Sequence, residues 1–430
     1  MPSKRHLFYS HRALVRLKQK IKRRGRIPVE KLIAAKSLLA GILRKIHDKL
    51  FTLRPTIIAY AHSGACKIQL AAEGDSLIYA PNFGSGSQYI FSDFPNVYAY
   101  LALKAHVSPY ISGFLLGNKL ALPSHIAEHR SDRILGSGTP ALQLLSNGSY
   151  KVNTLAIRKA IDFQKVLVIG GCGATNWYHF VLEILPKLFL INQDLGAFPD
   201  FSLLAPSEYR EHPTFRSALA YFSMNRTINY LNADELAFAQ EAIIVDEVNI
   251  GPFNMRPGSW PMASDYKLNT QIIGDYASEF RRQLAAHPCK VDSPKRIFLA
   301  RPSYRRSYNQ DELMKIASRY EFSAIYLENF TLEEQASIFS NAQIVIGPSG
   351  AAWSGLIFAS RSLRCLSWLP NEYSHFCCYS SLAALLKHKL WFIKAQTQNP
   401  LISSDQAYSE PYWVCPKDFE KMLNLIVEGE

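Results

Sequence analysis

Between residues 296 and 359 the chain reads RIFLARPSYRRSYNQDELMKIASRYEFSAIYLENFTLEEQASIFSNAQIVIGPSGAAWSGLIFA. Short apolar runs alternate there with stretches of helical period. The pattern predicts strands over 297–300, 323–327 and 344–346, and helices over 310–320 and 332–341. Few folds accept this βαβαβ order, because parallel strands need crossover helices and those helices cover the sheet. The third strand runs into Gly347, Pro348, Ser349, Gly350, Ala351 and Ala352, small residues that open a further helix. Arg301, Arg305 and Arg306 follow the first strand, so the same edge of the sheet gathers guanidinium groups. N–H groups at a helix start and guanidinium groups both favour anions such as phosphate. A plain small-residue turn and a solvated basic loop would read the same way.

A second strand, turn and helix stands earlier, at VLVIGGCGATNWYHFVLEILPKL over residues 166–188. Val166 to Ile169 suit a buried parallel strand, and Gly170, Gly171 and Gly173 permit a tight turn. Trp177, Val181, Ile184, Leu185 and Leu188 then recur at helical spacing. This is not the dinucleotide fingerprint G-x-G-x-x-G/A. After Gly171 and Gly173 the third small position is Asn176, and no acidic residue ends a second strand about 20 residues on. The helix carries instead a polar stripe of Asn176, His179, Glu183 and Lys187, at steps of three, four and four. Two readings stand side by side: the wet face of an amphipathic helix, or a histidine facing a cleft with a carboxylate one turn on to orient it.

Four motifs in this order, NWYHFVLEILPKL, RPSYRRSYN, LEEQ and IGPSGAAWSGLIFA, resemble glycosyltransferase family 61 in its bacterial capsule-biosynthesis branch, over about residues 165–370. The resemblance implies a GT-B architecture of two Rossmann-like α/β halves, and a nucleotide-sugar donor held mainly by the C-terminal half; a UDP-linked donor is the expectation. It also implies transfer to a glycan or lipid-linked glycan of a cell-surface polysaccharide, inverting and without a metal or other cofactor. Matching positions are Asn176, His179 and Glu183; Arg301, Arg306 and Asn309; Glu334 and Gln335; and Gly350 and Ala351. The chain departs from the family's usual pattern at Ser349, where His is common, and at Gly355, where Asn is common.

Sugar transfer needs two things of such residues. Charge growing on the departing diphosphate must be met by cations and N–H groups, the part assigned to Arg301, Arg306 and the Ser349–Gly350–Ala351 turn, with Asn309 beside them. The acceptor hydroxyl needs a base that titrates near neutrality, which points to His179 oriented by Glu183, with Glu183 itself as the second choice. Asn176 is placed at the acceptor or cleft side. Glu334 is read either as a hydrogen-bond acceptor for the donor ribose or as a solvated helix residue.

Composition sets the frame for these motifs. With 430 residues and 48% hydrophobic content the chain can bury substantial cores. It shows no apolar run of spanning length and no signal-peptide core near residue 1. Seven cysteines include no C-x-x-C pair, so they are expected reduced and mostly in the core, and the twelve histidines show no metal-ligand spacing. Four regions follow: a basic helical extension over 1–54, a β-rich layer over 55–160, a first Rossmann-like acceptor half over 161–290, and a nucleotide-sugar-binding half over 291–430. A helix over 266–286 is expected to cross between halves, with a Pro/Gly loop over 251–264 before it, and a last helix over 418–427 to pack back across the structure.

Residues 1–54 hold sixteen Lys and Arg against Glu30 and Asp48, a net of +14; the whole chain is +13, which leaves residues 55–430 one negative charge on balance. From Pro28 on, Leu32, Leu39, Leu43, Ile46, Leu50 and Leu53 recur at helical spacing among Lys and Arg. Such a helix lies on an anionic membrane or packs on protein, and the first reading places the enzyme at the cytoplasmic face of the cytoplasmic membrane. Two other classes compete: a non-catalytic sugar-binding or scaffold protein of the same assembly, and a nucleic-acid-binding protein using the basic N-terminus. The second would need basic and aromatic residues interleaved over a folded surface, and the charge lies elsewhere.

Overall fold

The first sheet grows outward from Ile161–Val168 (β8), whose residues Val166, Leu167 and Val168 are buried. We describe the protein from a computed structural model covering residues 52–84, 86, 88–128, 139–144, 150–193, 198–251, 262–289, 291–302, 306–399 and 410–429. Residues 1–51, with the basic extension, Arg305 and most of the Pro/Gly loop lie outside the described residues. Leu53–Glu430 forms one unit by its internal packing.

Beside β8 lie Ser202–Pro206 (β9) and then Ile228–Leu231 (β10), with Ala237–Val245 (β11) on the other flank, all four parallel. The β-rich segment is joined to this sheet. Its long strand Val97–Val107 (β5) pairs antiparallel with β11. Phe114–Leu116 (β6), Lys119–Leu122 (β7) and Thr56–Ala59 (β1) continue the same nine-stranded sheet, and Cys66–Ala71 (β2) also pairs with β5. Burial along β11 agrees with a central strand: Ala237, Ala239 and every residue from Ala242 to Val245 are buried, so both faces of its second half are covered. Gly74–Tyr79 (β3) and Tyr89–Phe94 (β4) form a separate hairpin.

The second sheet has the order Ser323–Ile325 (β13), Arg296–Leu299 (β12), Ile344–Ile346 (β14), Arg364–Pro370 (β15), Lys389–Thr397 (β16), all parallel, and ends in the antiparallel Tyr412–Trp413 (β17). The crossover helices are Gln310–Ser318 and Leu332–Asn341, as the periodicity predicts. The last helix, Pro416–Glu428, starts two residues earlier than expected because Pro fits the first turn. It does not reach back across the structure. Phe419, Leu423 and Ile426 bury themselves with Leu313 and Trp368 on the second sheet, each such side chain contributing about 1.5–3 kcal/mol.

Helix Thr270–Ala285 ties the two sheets into one core. Asn269 caps it, its Oδ1 accepting from the N–H of Ile272 at 2.9 Å, which places the start four residues later than expected. Its face of Ile272, Ile273, Tyr276, Ala277, Phe280 and Leu284 joins a cluster that also holds Phe189, Trp353 and Phe358. Two of the seven cysteines, Cys365 and Cys377, are buried, fewer than expected, and none is disulfide-bonded. Among the described residues no helix is long and apolar enough to cross a membrane. The described residues thus form a mixed α/β protein whose two largest sheets, of nine and six strands, are each built around a run of parallel strands.

Candidate active site

Both sheets reverse strand order at one point, and open α/β sheets bind ligands outside the carboxyl ends of the strands there. In the first sheet that point lies between β8 and β11, where the glycine turn leaves one strand and Asp246 and Glu247 leave the other. In the second it lies between β12 and β14, where Arg301 and Gly347 to Gly350 emerge.

The glycine turn is shaped by what it touches. A Cβ at Gly170 would overlap the carbonyl oxygen of Pro109, which accepts from the N–H of Gly171 at 3.1 Å. Gly173 has φ +72°, and a Cβ there would stand 2.5 Å from Cδ2 of His179. The turn therefore lies directly on the histidine ring. Asn176 then caps the helix, its Oδ1 accepting from the N–H of Tyr178 at 2.9 Å, and its side chain is exposed.

The helix begins as α at Trp177–His179, takes a π-helical turn over Phe180–Ile184, and continues as α over Leu185–Gln193. Such turns are frequent at functional sites. Here His179 Nδ1 lies 3.0 Å from Glu183 Oε2, with side chains 12% and 8% exposed. Lys187, next along the stripe, is 5% exposed. The stripe is thus not a wet face but a buried row of ionisable groups. Burial pushes the Glu183 carboxyl above its usual range, and His179 pulls it back. A carboxylate accepting from Nδ1–H fixes the ring's tautomer, placing the lone pair on Nε2.

Four further residues of this site carry no local sequence signal. Glu247 Oε2 lies 3.0 Å from His125 Nε2, and its Oε1 accepts from Ser112 Oγ at 2.7 Å. Ser112 Oγ also accepts from the N–H of Cys172 at 3.1 Å, which ties Glu247 to the glycine turn. Asp246 accepts from Tyr98 N–H at 3.1 Å and Tyr100 Oη at 3.3 Å, and burial pushes its carboxyl up to about 6.

At the second sheet, Arg301 is held from both sides. Its N–H donates to Gln310 Oε1 at 2.7 Å, and its guanidinium Nη2 donates to the carbonyl of Ser349. A Cβ at Gly350 would stand 2.5 Å from that Nη2, and one at Gly347 would stand 2.7 Å from Cβ of Leu299. Small residues in this turn are thus what let the arginine lie against it. The helix that follows, Ala351–Phe358, is 3-10 rather than α. It packs against the segment Trp177–His179, so the two edges meet. Arg301, Ser349, Gly350 and Ala351 come together beside the element that carries His179.

The other motif residues are engaged elsewhere. The Arg306 guanidinium lies over the Tyr412 ring at 4.5 Å. Asn309 donates to Val414 C=O at 3.0 Å and to Glu312 Oε2 at 2.8 Å, and accepts from Val414 N–H at 3.0 Å, clamping the C-terminal segment. Glu334 closes a capping box with Thr331, Oε2 accepting from the Thr331 N–H at 2.8 Å. Gln335 is buried and donates to Leu327 C=O and Phe330 C=O. Among the described residues no group of three or more His, Cys, Asp and Glu is placed to hold a metal ion.

The glycosyltransferase 61 family model matches residues 177–366. The match begins at the helix of His179 and Glu183 and runs through the Arg301 and Gly350 turns; Ser112 and His125 precede it. None of the curated proteins matches the chain. The match makes residues 177–366 a glycosyltransferase family 61 domain.

Proposed function

We propose that the protein transfers a sugar, with inversion and without a metal, from a nucleotide-sugar donor to a glycan acceptor of a cell-surface polysaccharide, as in the bacterial capsule branch of the family. The two sheets act as the two Rossmann-like halves of a GT-B enzyme, acceptor half over 161–290 and donor half over 291–430. The observation that carries this reading is the meeting of His179 with the Arg301–Ser349 turn through the packing of Trp177–His179 on Ala351–Phe358. His179, oriented by Glu183, takes the acceptor's proton as the hydroxyl attacks the anomeric carbon. Arg301 and the N–H groups at Gly350 and Ala351 meet the charge that grows on the departing diphosphate. Arg306 is assigned to the same diphosphate from its place over Tyr412. Asn309 and Glu334 support the donor half, through Val414 and the Thr331 cap, as much as they touch the donor. The basic segment 1–54 holds the enzyme to an anionic membrane at the cytoplasmic face, where a lipid-linked glycan presents itself.

A thermal-shift panel with UDP, GDP, CMP and dTDP tests the donor half, since a ligand that binds only the native state raises its melting temperature. One nucleoside diphosphate, expected to be UDP, should raise it by several degrees and the others less. No shift with any of the four would count against a nucleotide-sugar site.

A further inference from the structure

Glu247 has no part in the reaction just described, yet both of its carboxylate oxygens are held. Its side chain is 13% exposed, one oxygen lies 3.0 Å from His125 Nε2, and the other accepts from Ser112 Oγ at 2.7 Å. Burial alone would raise this carboxyl; His125, the Lys187 ammonium and the Ser112 hydroxyl together hold it at about 2. It is a fixed negative charge. Lys187, more buried still, lies where a Cβ on Gly171 would stand 3.7 Å from its Nζ, and it acts electrostatically on Glu183, Glu247 and Asp246.

The groups facing His179 and Glu183 come from every element packed on them. Lys187 and Tyr178 share their helix, and the ring of Tyr178 meets that of His179 edge-on at 5.5 Å. Asp246 and Glu247 come from the end of β11. Cys378, at the start of helix Cys378–Leu385, feels the Glu183 charge. The glycine turn adds the Cys172 thiol, which burial and Glu247 push up to about 11. Three carboxyl groups therefore surround one ammonium, and a carboxylate stabilises a nearby imidazolium whereas an ammonium opposes it.

We propose that Glu247 and Lys187 are positioning residues of opposite charge that together set the pH at which the His179–Glu183 pair exchanges its proton, with His125 and Ser112 holding Glu247 in place. The inference rests on reading His179 as the base. Glu247 favours the imidazolium that forms when His179 takes the acceptor's proton, and Lys187 keeps that form from becoming the resting one. Packing alone would require neither the charge of Glu247 nor its separate anchors.

The test uses the full chain and diethyl pyrocarbonate, which acylates the neutral imidazole. The extent of reaction at His179 is followed by peptide mass spectrometry from about pH 5 to about pH 9, around the histidine range. In Glu247→Gln the midpoint should fall by about one pH unit, and in Lys187→Met it should rise by about as much, the size of a unit charge roughly 12 Å away at an effective dielectric near 20. Unmoved midpoints, or midpoints moving together, would overturn the proposal. Should Glu247→Gln not fold, Lys187→Met decides alone. The assay needs no substrate, so it separates two failures. If His179→Ala still transfers sugar, the base reading falls while the midpoints still judge the coupling; if that variant is inactive and the midpoints stay put, the coupling falls and the base reading stands.

Discussion

Replacing Gly350 by alanine puts a methyl group 2.5 Å from Arg301 Nη2 and 3.4 Å from its Cζ. Ordinary contacts begin at 3.4 Å, so the guanidinium must retreat by about an ångström. It is the end of a flexible side chain, so the retreat shifts the guanidinium from its place on the turn and leaves the fold intact. Melting temperature should change by no more than ~2 °C. If Arg301 grips a diphosphate from this position, a charge-assisted contact worth roughly 1.5–3 kcal/mol is lost, about one to two decades of affinity. Gly347→Ala is the contrasting control. Its new methyl meets Leu299 Cβ at 2.7 Å and the Leu299 carbonyl oxygen at 3.1 Å, and backbone cannot swing aside. That variant should lose about 1–3 kcal/mol of stability. The assay is calorimetric titration with the nucleoside diphosphate that stabilises the protein most, and with its nucleoside. Gly350→Ala should weaken the diphosphate and spare the nucleoside. Equal affinity of wild type and Gly350→Ala for the diphosphate would refute the argument, as would equal loss for both ligands.

Other expectations follow from single sites. Gly170→Ala, whose Cβ would overlap the Pro109 carbonyl, should lose the Gly171 to Pro109 bond and cost about 2–4 kcal/mol, read in urea unfolding; wild-type stability would show that the turn is not pinned there. His388 is buried, its Nδ1 accepting from Leu363 N–H and its Nε2 facing Leu356 C=O, each at 3.2 Å, and burial holds its pKa below the usual value. A depressed histidine pKa means the unfolded chain binds the proton first, so stability present above about pH 6.5 is lost as pH falls below it. Melting temperatures in that range should fall more steeply for wild type than for His388→Gln, and parallel curves would contradict this. A chain beginning near residue 55 should no longer pellet with anionic vesicles, and binding by the full chain should weaken as salt rises; salt-independent binding would sink the membrane reading.

Local pattern carried the second sheet well, because each strand and crossover helix there is decided by residues within a few positions. The helix Leu332–Asn341 and the strand Ile344–Ile346 stand where the periodicity put them. The pairing of β5 with β11 is a different matter. It joins Ala99 to Val245 and Val107 to Ala237, and nothing in either segment names the other. The same distance hid half of the site: Ser112 is 60 residues from Cys172 and 135 from Glu247, and only the folded sheet brings them to the glycine turn. The stripe of His179, Glu183 and Lys187 was legible as a row, but not its burial, since the cover over it comes from remote chain. Thr331 and Glu334 teach the converse lesson. Their spacing is that of a capping box, and the carboxylate that reads as a ribose ligand within the family motif is bonded to its own helix start.

The central claim is that this geometry moves a sugar with His179 as base. Release of nucleoside diphosphate from UDP-, GDP- and dTDP-sugars, and of CMP from CMP-sugars, by wild type and by folded His179→Ala, with and without a capsular oligosaccharide acceptor, measures it most directly. Wild type should release nucleotide from one donor class, faster with acceptor, and His179→Ala should bind that donor normally but turn over about a hundredfold more slowly or worse. Equal release by the two proteins, or none by wild type from any donor, would contradict the account.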